Sequence, residues 1–531
     1  MKTLNIDISC SNSGNYEIAD CWPTPYRDYC FLGKDLLDAI YEPATHLHND
    51  VYIALSCKAA DILTDIAHVA RCTIDVQNSR LKKIQINYDE NTSPVIDWIL
   101  DDRTDNINRL LLRRRDDIRT ESLDGSIKHI LRRLKYKTLN TLERRSSSPV
   151  LSTNNLLNDY LRENNIRTHS VNFDDVFCGR PETILTTLKK KSIEDIIQSI
   201  NKQLVSHIQS DELIDRLLYA SSAIVNWHIR QSLGDIKRIR SKYSFKKFPD
   251  TLFSGTPKYE GRLISWFYGD NGTDIVRFAH GGERVFFFDY NWPISELPWC
   301  DTYYCHSNAE AQTFKDRFET DQYPKFAGLK KLSFKSIGSN THRNYGKLSS
   351  LCDVTPAIIK HKNQGRRLLY ASAVYHGDKA PVLPTFKLPD ALYLDFQIRL
   401  LNSLKNDNWH ITLKPHPKGI FDPTSILSPY IDDVMQTRFN PLQFDHDVFL
   451  FDFAGSAFFD SLFSNKHICL INLANRPISN DYKSSLCSRV SVVNSQFDDV
   501  GKIHIDMNAL RSALRPTRKT SISTFVSRFA E

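Results

Sequence analysis

Short apolar runs alternate with amphipathic stretches in the last third of the chain. Each run is of strand length and is bounded by polar or turn-forming residues, which predicts buried strands at 366–372, 409–415, 447–452 and 467–473. Asp390 is predicted to cap a helix after the first strand, and a further helix is predicted to begin at Ser456. Strands that alternate with helices predict an α/β fold whose parallel sheet is covered on both faces.

The middle of the chain repeats this alternation. A short strand is predicted to run through Phe253 and to be followed by a helix that has Pro257 at its first position and ends near Tyr268. A strand is then predicted at 274–279 and another within "TYYCHSNAEAQTFKDRF", where Ser307 with Glu310 predicts a capping box at the start of the next helix. The chain is therefore expected to form two sheets, one on each side of a loop at 335–350.

Polar residues follow two of the predicted strands in the last third. Lys414 and His416 come at the end of "WHITLKPHP", and Gly455 and Ser456 follow the strand 447–452. Ligands of parallel sheets bind beyond the carboxyl ends of the strands, where glycine permits close approach and lysine or histidine neutralises charge. The two groups are expected on adjacent strands, and together they favour a phosphate site over two unrelated turns.

A second polar group is predicted at the edge of the other sheet. Ser254, Gly255 and Thr256 form a turn after one strand, and His280 is followed by Gly281 and Gly282 after the next. The paired glycines would let a ligand lie against the backbone beside His280. Two sheets with such edges predict a cleft between two lobes.

Composition is that of a globular protein. The chain has 531 residues, 41% hydrophobic and 25% charged, and a formal charge of +7. The segment from Arg113 to Arg145 has 11 Lys or Arg against 5 Asp or Glu, a local charge of +6, and its second half has an amphipathic helical pattern. Such a helix either packs on the protein with its charges solvated or lies on an anionic membrane surface. No nucleic-acid motif accompanies it, so nucleic acid is not expected as a partner.

Cysteine usage and the absence of long apolar runs indicate a cytoplasmic protein. The 11 cysteines are scattered with no CxxC pair, so they are expected to be reduced, and no metal site is expected. No apolar run approaches the roughly 18 residues that span a bilayer. The expected location is the cytoplasm, at the inner face of the membrane if the basic segment binds lipid.

These motifs, in their order and spacing, resemble a family of bacterial enzymes. "SGT" at Ser254, "HGG" at His280, "KPHP" at Lys414 and "DFAGSAFFDSLFSNKHICLI" from Asp452 look like the surface-polysaccharide glycosyltransferases of the GT-B fold. The similarity is greatest to the β-Kdo transferases of capsule and O-antigen (lipopolysaccharide) assembly. CDP-glycerol and CDP-ribitol phosphotransferases and bacterial sialyltransferases share parts of the set, and the first 240 residues match none of them.

The resemblance implies a domain organisation. Two Rossmann-like domains would face each other across a cleft, with an acceptor-side lobe at 1–345 and a nucleotide-binding domain at 346–531. A separate helical or basic portion is expected around 100–150 within the first lobe. The implied reaction transfers a sugar, in the closest group Kdo from CMP-Kdo with retention, to a lipid-linked or oligosaccharide acceptor without a cofactor or metal.

The resemblance also implies roles for single residues. Lys414, His416, Gly455 and Ser456 would hold the donor phosphate. His280 would face the sugar, and the sugar would be bound by Ser254, Gly255, Thr256, Gly281 and Gly282. A retaining double displacement needs a carboxylate nucleophile at the edge of the first sheet. Asp250 is the first candidate for it, and the rivals are Asp270, Asp274, Glu283 and Asp289. The family often has an acidic residue before HGG, where this chain has Ala279.

A non-enzymatic alternative stays open. A membrane-associated assembly protein with a degenerate nucleotide site would have the same basic segment and the same strand endings. Binding of cytidine nucleotides distinguishes the two hypotheses.

Overall fold

The computed structural model describes most of the chain. The described residues are 3–5, 22–88, 94–101, 147–171, 177, 181–243, 248–289, 292–320, 332–351, 366–375, 388–417, 419, 422–473, 476–499, 501–515 and 522–530. The basic segment from Arg113 to Arg145 lies outside these residues, and so its predicted membrane contact stays a prediction.

Strands and helices alternate through both halves of the molecule. The strands are β1 Thr3–Asn5, β2 Gln85–Asn87, β3 Ser148–Val150, β4 Thr168–Ser170, β5 Thr251–Ser254, β6 Asp274–Phe278, β7 Thr302–Cys305, β8 Ser333–Ser336, β9 Arg367–Ala371, β10 His410–Lys414, β11 Asp433–Val434, β12 Val448–Phe451, β13 His467–Asn472, β14 Ser491–Phe497 and β15 Ile503–Ile505. The α-helices are Lys34–Tyr41, Asn49–Lys82, Pro94–Asp101, Asn155–Glu163, Thr187–Val205, Asp211–Tyr243, Tyr259–Asp270, Pro293–Glu296, Asn308–Glu319, Asn340–Leu351, Asp390–Asn406, Thr424–Leu427, Ser456–Leu462, Lys483–Arg489, Met507–Ala513 and Ile522–Phe529. Short 3₁₀ helices occur at Tyr26–Leu32, Glu42–His46, Gly282–Val285 and Ser428–Tyr430.

The C-terminal sheet has seven strands in the order β11-β10-β9-β12-β13-β14-β15. All neighbours are parallel except β14 and β15. The first six strands in this order, numbered along the chain, follow the 3-2-1-4-5-6 pattern of Rossmann folds. The strand order reverses between β9 and β12, so the crevice of the sheet opens at the carboxyl ends of these two strands.

The N-terminal sheet has six parallel strands in the order β4-β3-β5-β6-β7-β8. This is the 2-1-3-4-5 pattern of doubly wound sheets with one more strand at the end, and its order reverses between β3 and β5. The predicted α/β fold with two Rossmann-like units is confirmed, and two such units are what the expected GT-B fold requires. The predicted boundary near residue 345 falls between β8 and β9, and the division at this residue stays a prediction.

A long buried helix that the sequence analysis did not predict organises the first lobe. Asn49–Lys82 has 24 of its 34 residues buried, and it packs along Asp211–Tyr243 and against Tyr259–Asp270. A helix that is covered on all sides does not need the single apolar stripe by which an amphipathic helix is recognised.

The two ends of the described chain connect the halves of the molecule. Tyr26 stacks on Phe497 of β14, with ring centroids 4.5 Å apart. At the other end, the helix Ile522–Phe529 packs against Asn308–Glu319 and Asn340–Leu351, and its Phe525 and Phe529 are buried. The N-terminal stretch therefore touches the C-terminal sheet, and the C-terminal helix returns to the first lobe.

Local predictions hold to within a few residues. The helix after β5 begins at Tyr259 with Lys258 as its N-cap, so the prediction that Pro257 opens it is wrong by two residues. Asp390 is the first helical residue, because Pro389 occupies the N-cap. Ser307 caps the next helix as predicted, but the Glu310 carboxylate accepts from the backbone N–H of His306.

No helix in the described part of the chain is both long and apolar enough to cross a membrane.

Candidate functional site

The carboxyl ends of β10 and β12 carry the predicted phosphate residues. Lys414 is the last residue of β10, and Gly455 and Ser456 follow β12. The two groups lie on the same edge of the sheet but not on adjacent strands, because β9 lies between β10 and β12. They therefore lie on the two sides of β9, whose carboxyl end borders the crevice at the switch point.

Lys414 is a buried cation without an anionic partner among the described residues. Its exposure is 8%, and its ammonium group has one hydrogen bond, a long one of 3.4 Å to the carbonyl of Pro415. Burial lowers the pKa of this lysine below its ordinary value. A buried charge without a counter-charge is costly, and an anion at this position would remove the cost.

His416 and the residues after β12 are more open. His416 is exposed, Ser456 is exposed, and Gly455 is half-buried as the N-cap of Ser456–Leu462. These residues and Lys414 leave a polar, solvent-accessible edge at the crevice.

The Ser254 turn has a structural role that the sequence did not reveal. Ser254 is fully buried, and its hydroxyl lies 3.2 Å from the hydroxyl of Ser152 at the switch point of the N-terminal sheet. A Cβ on Gly255 would lie 3.1 Å from the amide nitrogen of Asn154. The prediction that Ser254 binds the sugar is therefore corrected, since its hydroxyl is turned into the protein. Thr256 is half-buried, 3.5 Å from Glu296.

The side chain of Asn154 connects the loop after β3 to the end of β6. Its side-chain oxygen caps the helix Asn155–Glu163 by accepting from the N–H of Leu157. Its side-chain nitrogen donates to the carbonyls of Phe278 and Ala279 at 2.9 and 3.1 Å. The strand end before His280 is thus fixed from the neighbouring loop.

The HGG segment joins the two lobes. His280 is exposed at the carboxyl end of β6, and the Glu283 carboxylate covers Gly281 so closely that a Cβ there would lie 2.2 Å from Oε2. A Cβ on Gly282 would lie 2.2 Å from the ring of Phe459 in the helix Ser456–Leu462. The structure therefore brings the HGG segment against the helix that follows Gly455.

Asp250 lies at the wrong end of its strand for the predicted nucleophile. It precedes β5, and its backbone carbonyl accepts from the N–H of Asp274 at the start of β6. Four residues of strand separate Asp250 from the carboxyl edge, about 13 Å at the usual rise. Asp274 starts β6 at this same amino end, and Asp270 ends the helix that leads back to it. The assignment of Asp250 is corrected on this ground, and the same placement removes these two rivals.

Glu283 and Asp289 are the two rivals that lie near the cleft. Both are buried, and both face Arg476, which follows β13. Arg476 forms a bidentate ion pair with Asp289, and its guanidinium lies 3.7 Å from the Glu283 carboxylate. It also donates to the carbonyl of Ala454, just before Gly455. One buried guanidinium thus links the acidic residues of the first lobe to the loop of the phosphate edge.

A cavity of about 340 Å³ opens between the lobes. Its lining residues are Asn155, Asn158, Asp159, Thr341, Tyr345, Arg438, Phe439, Asn440, Gln443 and Asp460. Arg438 donates to the side-chain oxygen of Asn155 at 3.3 Å, which bridges the two lobes. None of these residues was predicted, because they come from separate parts of the chain and form no motif.

No group of three or more His, Cys, Asp or Glu side chains that could hold a metal ion occurs within the described ranges.

Comparison with protein-family models finds no match, and no curated protein matches the chain. Solved structures of low identity are similar to it, among them the following two. The glycosyltransferase of kitacinnamycin has 12% identity and a TM-score of 0.30, with 70% of this chain and 83% of that chain covered. The N-terminal domain of Candida albicans trehalose-6-phosphate phosphatase has 11% identity and a TM-score of 0.31, with 71% and 84% covered. Values of this size do not carry a function from one protein to another.

Proposed function

We propose that the protein is a glycosyltransferase that binds a cytidine nucleotide sugar at the crevice of its C-terminal sheet. The observation that supports this most directly is Lys414, a buried lysine without a carboxylate partner in the described residues, at the edge where such sheets bind ligands. A donor phosphate would supply the missing negative charge. His416, Gly455 and Ser456 border the same crevice, and we assign them to the nucleotide.

Transfer requires stabilisation of the departing nucleotide. As the bond between the sugar and phosphate oxygen breaks, negative charge develops on the phosphate, and a preorganised cation at Lys414 would stabilise it. His280 lies exposed on the opposing lobe, next to the glycines that contact the helix Ser456–Leu462, and we assign it to the donor sugar. Gly281 and Gly282 are covered by Glu283 and Phe459 and are therefore not assigned to the sugar, whereas the half-buried Thr256 is kept in that role.

Calorimetry with CMP and cytidine tests the phosphate site. Cytidine lacks the phosphate, so Lys414→Gln should weaken the binding of CMP about tenfold or more and leave that of cytidine unchanged, since hydrogen bonds to charged groups contribute about 1.5–3 kcal/mol. Lys466→Gln is the matched control, because Lys466 lies just before β13, at the amino edge of the same sheet. Failure of CMP, CDP and UDP to bind would reject the proposal and favour a non-catalytic assembly protein.

The donor sugar is proposed from the sequence resemblance alone. Kdo from CMP-Kdo is the first candidate, and sialic acid from CMP-sialic acid and a CDP-polyol are the alternatives. Incubation of the full chain with each donor, followed by intact mass measurement, should show a Kdo-sized adduct if transfer is a double displacement. Release of CMP from CMP-Kdo without an adduct would argue against the covalent step, and release from another donor would replace Kdo. The acceptor is proposed to be a lipid-linked or oligosaccharide chain.

A further inference from the structure

The cavity between the lobes differs in charge from the phosphate edge. Its lining has four carboxamides, two carboxylates, one guanidinium and two aromatic rings. The formal charge of these side chains is −1, from two Asp against one Arg. Such a lining offers many hydrogen bonds to a neutral ligand but no excess of positive charge to an anion. The edge at Lys414, in contrast, offers an anion a positive charge.

Two of the carboxamides carry no side-chain hydrogen bond to the described residues. Asn158 lies on the first turn of Asn155–Glu163, and Gln443 lies in the loop before β12, on the other side of the cavity. Donors and acceptors that face one another across a small cavity are suited to a ligand with hydroxyl groups around its rim.

The carboxylate of Asp460 is held from behind by a buried histidine. His342 Nε2 lies 2.8 Å from Asp460 Oδ1, and the His342 ring packs against Phe459 and Phe463. Burial lowers the pKa of His342, so the ring is neutral near pH 7 and donates its Nε2–H to the carboxylate. This hydrogen bond holds the Asp460 carboxylate in a fixed orientation at the cavity wall.

The other carboxylate is already engaged. Asp159 is buried, accepts from Arg162, and accepts from the Thr341 hydroxyl at 3.1 Å. Asp460 is the more exposed of the two, with 24% of its side chain accessible. It is the carboxylate available to a ligand.

We propose that this cavity binds a neutral pyranose of the acceptor, with Asp460 accepting a hydrogen bond from a sugar hydroxyl and with Asn158 and Gln443 contacting others. The proposal rests on the proposed function, because it names the acceptor class for the same cleft. Tyr345 and Phe439 add the apolar surface that a pyranose ring face requires. His342 acts through Asp460 and is a positioning residue.

Saturation-transfer NMR on the full chain tests the proposal. The probes are methyl hexopyranosides in the gluco and galacto series and the corresponding methyl uronides. At least one neutral glycoside should bind, its uronide should bind more weakly, and Asp460→Asn should weaken the neutral glycoside about tenfold because a charge-assisted hydrogen bond is lost. Asn158→Ala should weaken it about threefold.

Controls separate local loss from unfolding and from failure of the proposed function. Asp270→Asn removes an exposed carboxylate at the far end of the first lobe and should change nothing. Both cavity variants should still bind CMP with the affinity of the unchanged chain. Absence of glycoside binding, or binding that neither variant weakens, would overturn the inference. If CMP still binds in that case, the proposed nucleotide site stands. Glycoside binding without CMP binding would reject the proposed function and leave the cavity assignment in place.

Discussion

Asp452 shows how a single buried side chain organises the crevice. It follows β12, has 2% exposure, and accepts hydrogen bonds from the hydroxyls of Tyr370 and Tyr393 and from the N–H of Ala373. Gln397 donates to both tyrosine hydroxyls, at 2.8 and 2.9 Å. The carboxylate therefore fixes the loop after β9 next to the loop after β12, on the two sides of the switch point.

This carboxylate should make stability depend on pH. Burial raises the pKa of Asp452 to about 6, from an ordinary value near 4. The folded state thus binds the proton more tightly than the unfolded state, so this contribution to stability is full below about pH 4 and is lost as the pH rises through 6. Between pH 4.5 and 7.5 the loss from this group is about 2 kcal/mol.

Asp452→Asn should remove that dependence. The free energy of unfolding in denaturant is measured at pH 4.5 and pH 7.5 for both proteins. From the lower to the higher pH, the difference between the variant and the unchanged chain should move by about 2 kcal/mol in favour of the variant. The other buried acids, Asp75 among them, are present in both proteins and cancel in the difference. An equal pH dependence in the two proteins would show that Asp452 is already ionised at pH 4.5.

At the scale of the element, the contact between HGG and the helix Ser456–Leu462 depends on glycine. A methyl group on Gly282 would lie 2.2 Å from the ring of Phe459, which is buried and cannot retreat without moving the helix. Gly282→Ala should therefore lower the free energy of unfolding by about 1–3 kcal/mol and weaken CMP binding. Thermal unfolding and calorimetry measure the two effects.

Two further variants isolate the cause. Gly269→Ala is the control, because its Cβ would meet Ile275 at 3.4 Å, an ordinary contact. Adding Phe459→Leu to Gly282→Ala should recover part of the stability and of the affinity. No recovery would mean that Gly282 is needed for its backbone conformation and not because the Phe459 ring lies so close to it.

Elements were predictable from the sequence where their signal is local. The strands β9, β10, β12 and β13 are short apolar runs, and their bounds in the structure fall within one or two residues of the predicted ones. The predicted placement of Asp250 at the carboxyl edge was wrong, although its position in the sequence, before the strand, already indicates the amino end. A residue that precedes a strand lies at its amino end, whereas ligands bind at the carboxyl end.

The juxtaposition of distant segments was not predictable in the same way. Lys414 and Gly455 were expected on adjacent strands, but strand order is set by packing between segments far apart in the chain, and β9 inserts between them. Arg438 and Asp460 lie in no recognisable motif, and only the fold brings them to one cavity. Arg476 likewise gave no signal, since a single arginine after a strand is usually a solvated surface residue.

At the scale of the whole molecule, Arg476 holds the lobes together through buried charge. Arg476→Met should lower the free energy of unfolding by about 3 kcal/mol, because it removes the guanidinium that pairs with both Asp289 and Glu283 and leaves Asp289 only the longer contact of 3.7 Å to Arg284. Replacing Asp289 by Leu in the same chain removes one of the two buried carboxylates that lost Arg476 and should recover part of the loss. Thermal unfolding of the two variants measures the difference.

The exposed pair of Arg511 and Asp407 supplies the matched control. Arg511→Met should leave the stability nearly unchanged, since solvent screens an exposed pair of this kind. Arg476 also donates to the carbonyl of Ala454, just before Gly455. The double variant lacks this hydrogen bond, so it should bind CMP more weakly than the unchanged chain even where its stability is restored. Wild-type affinity in the double variant would show that Arg476 joins the lobes without shaping the nucleotide site.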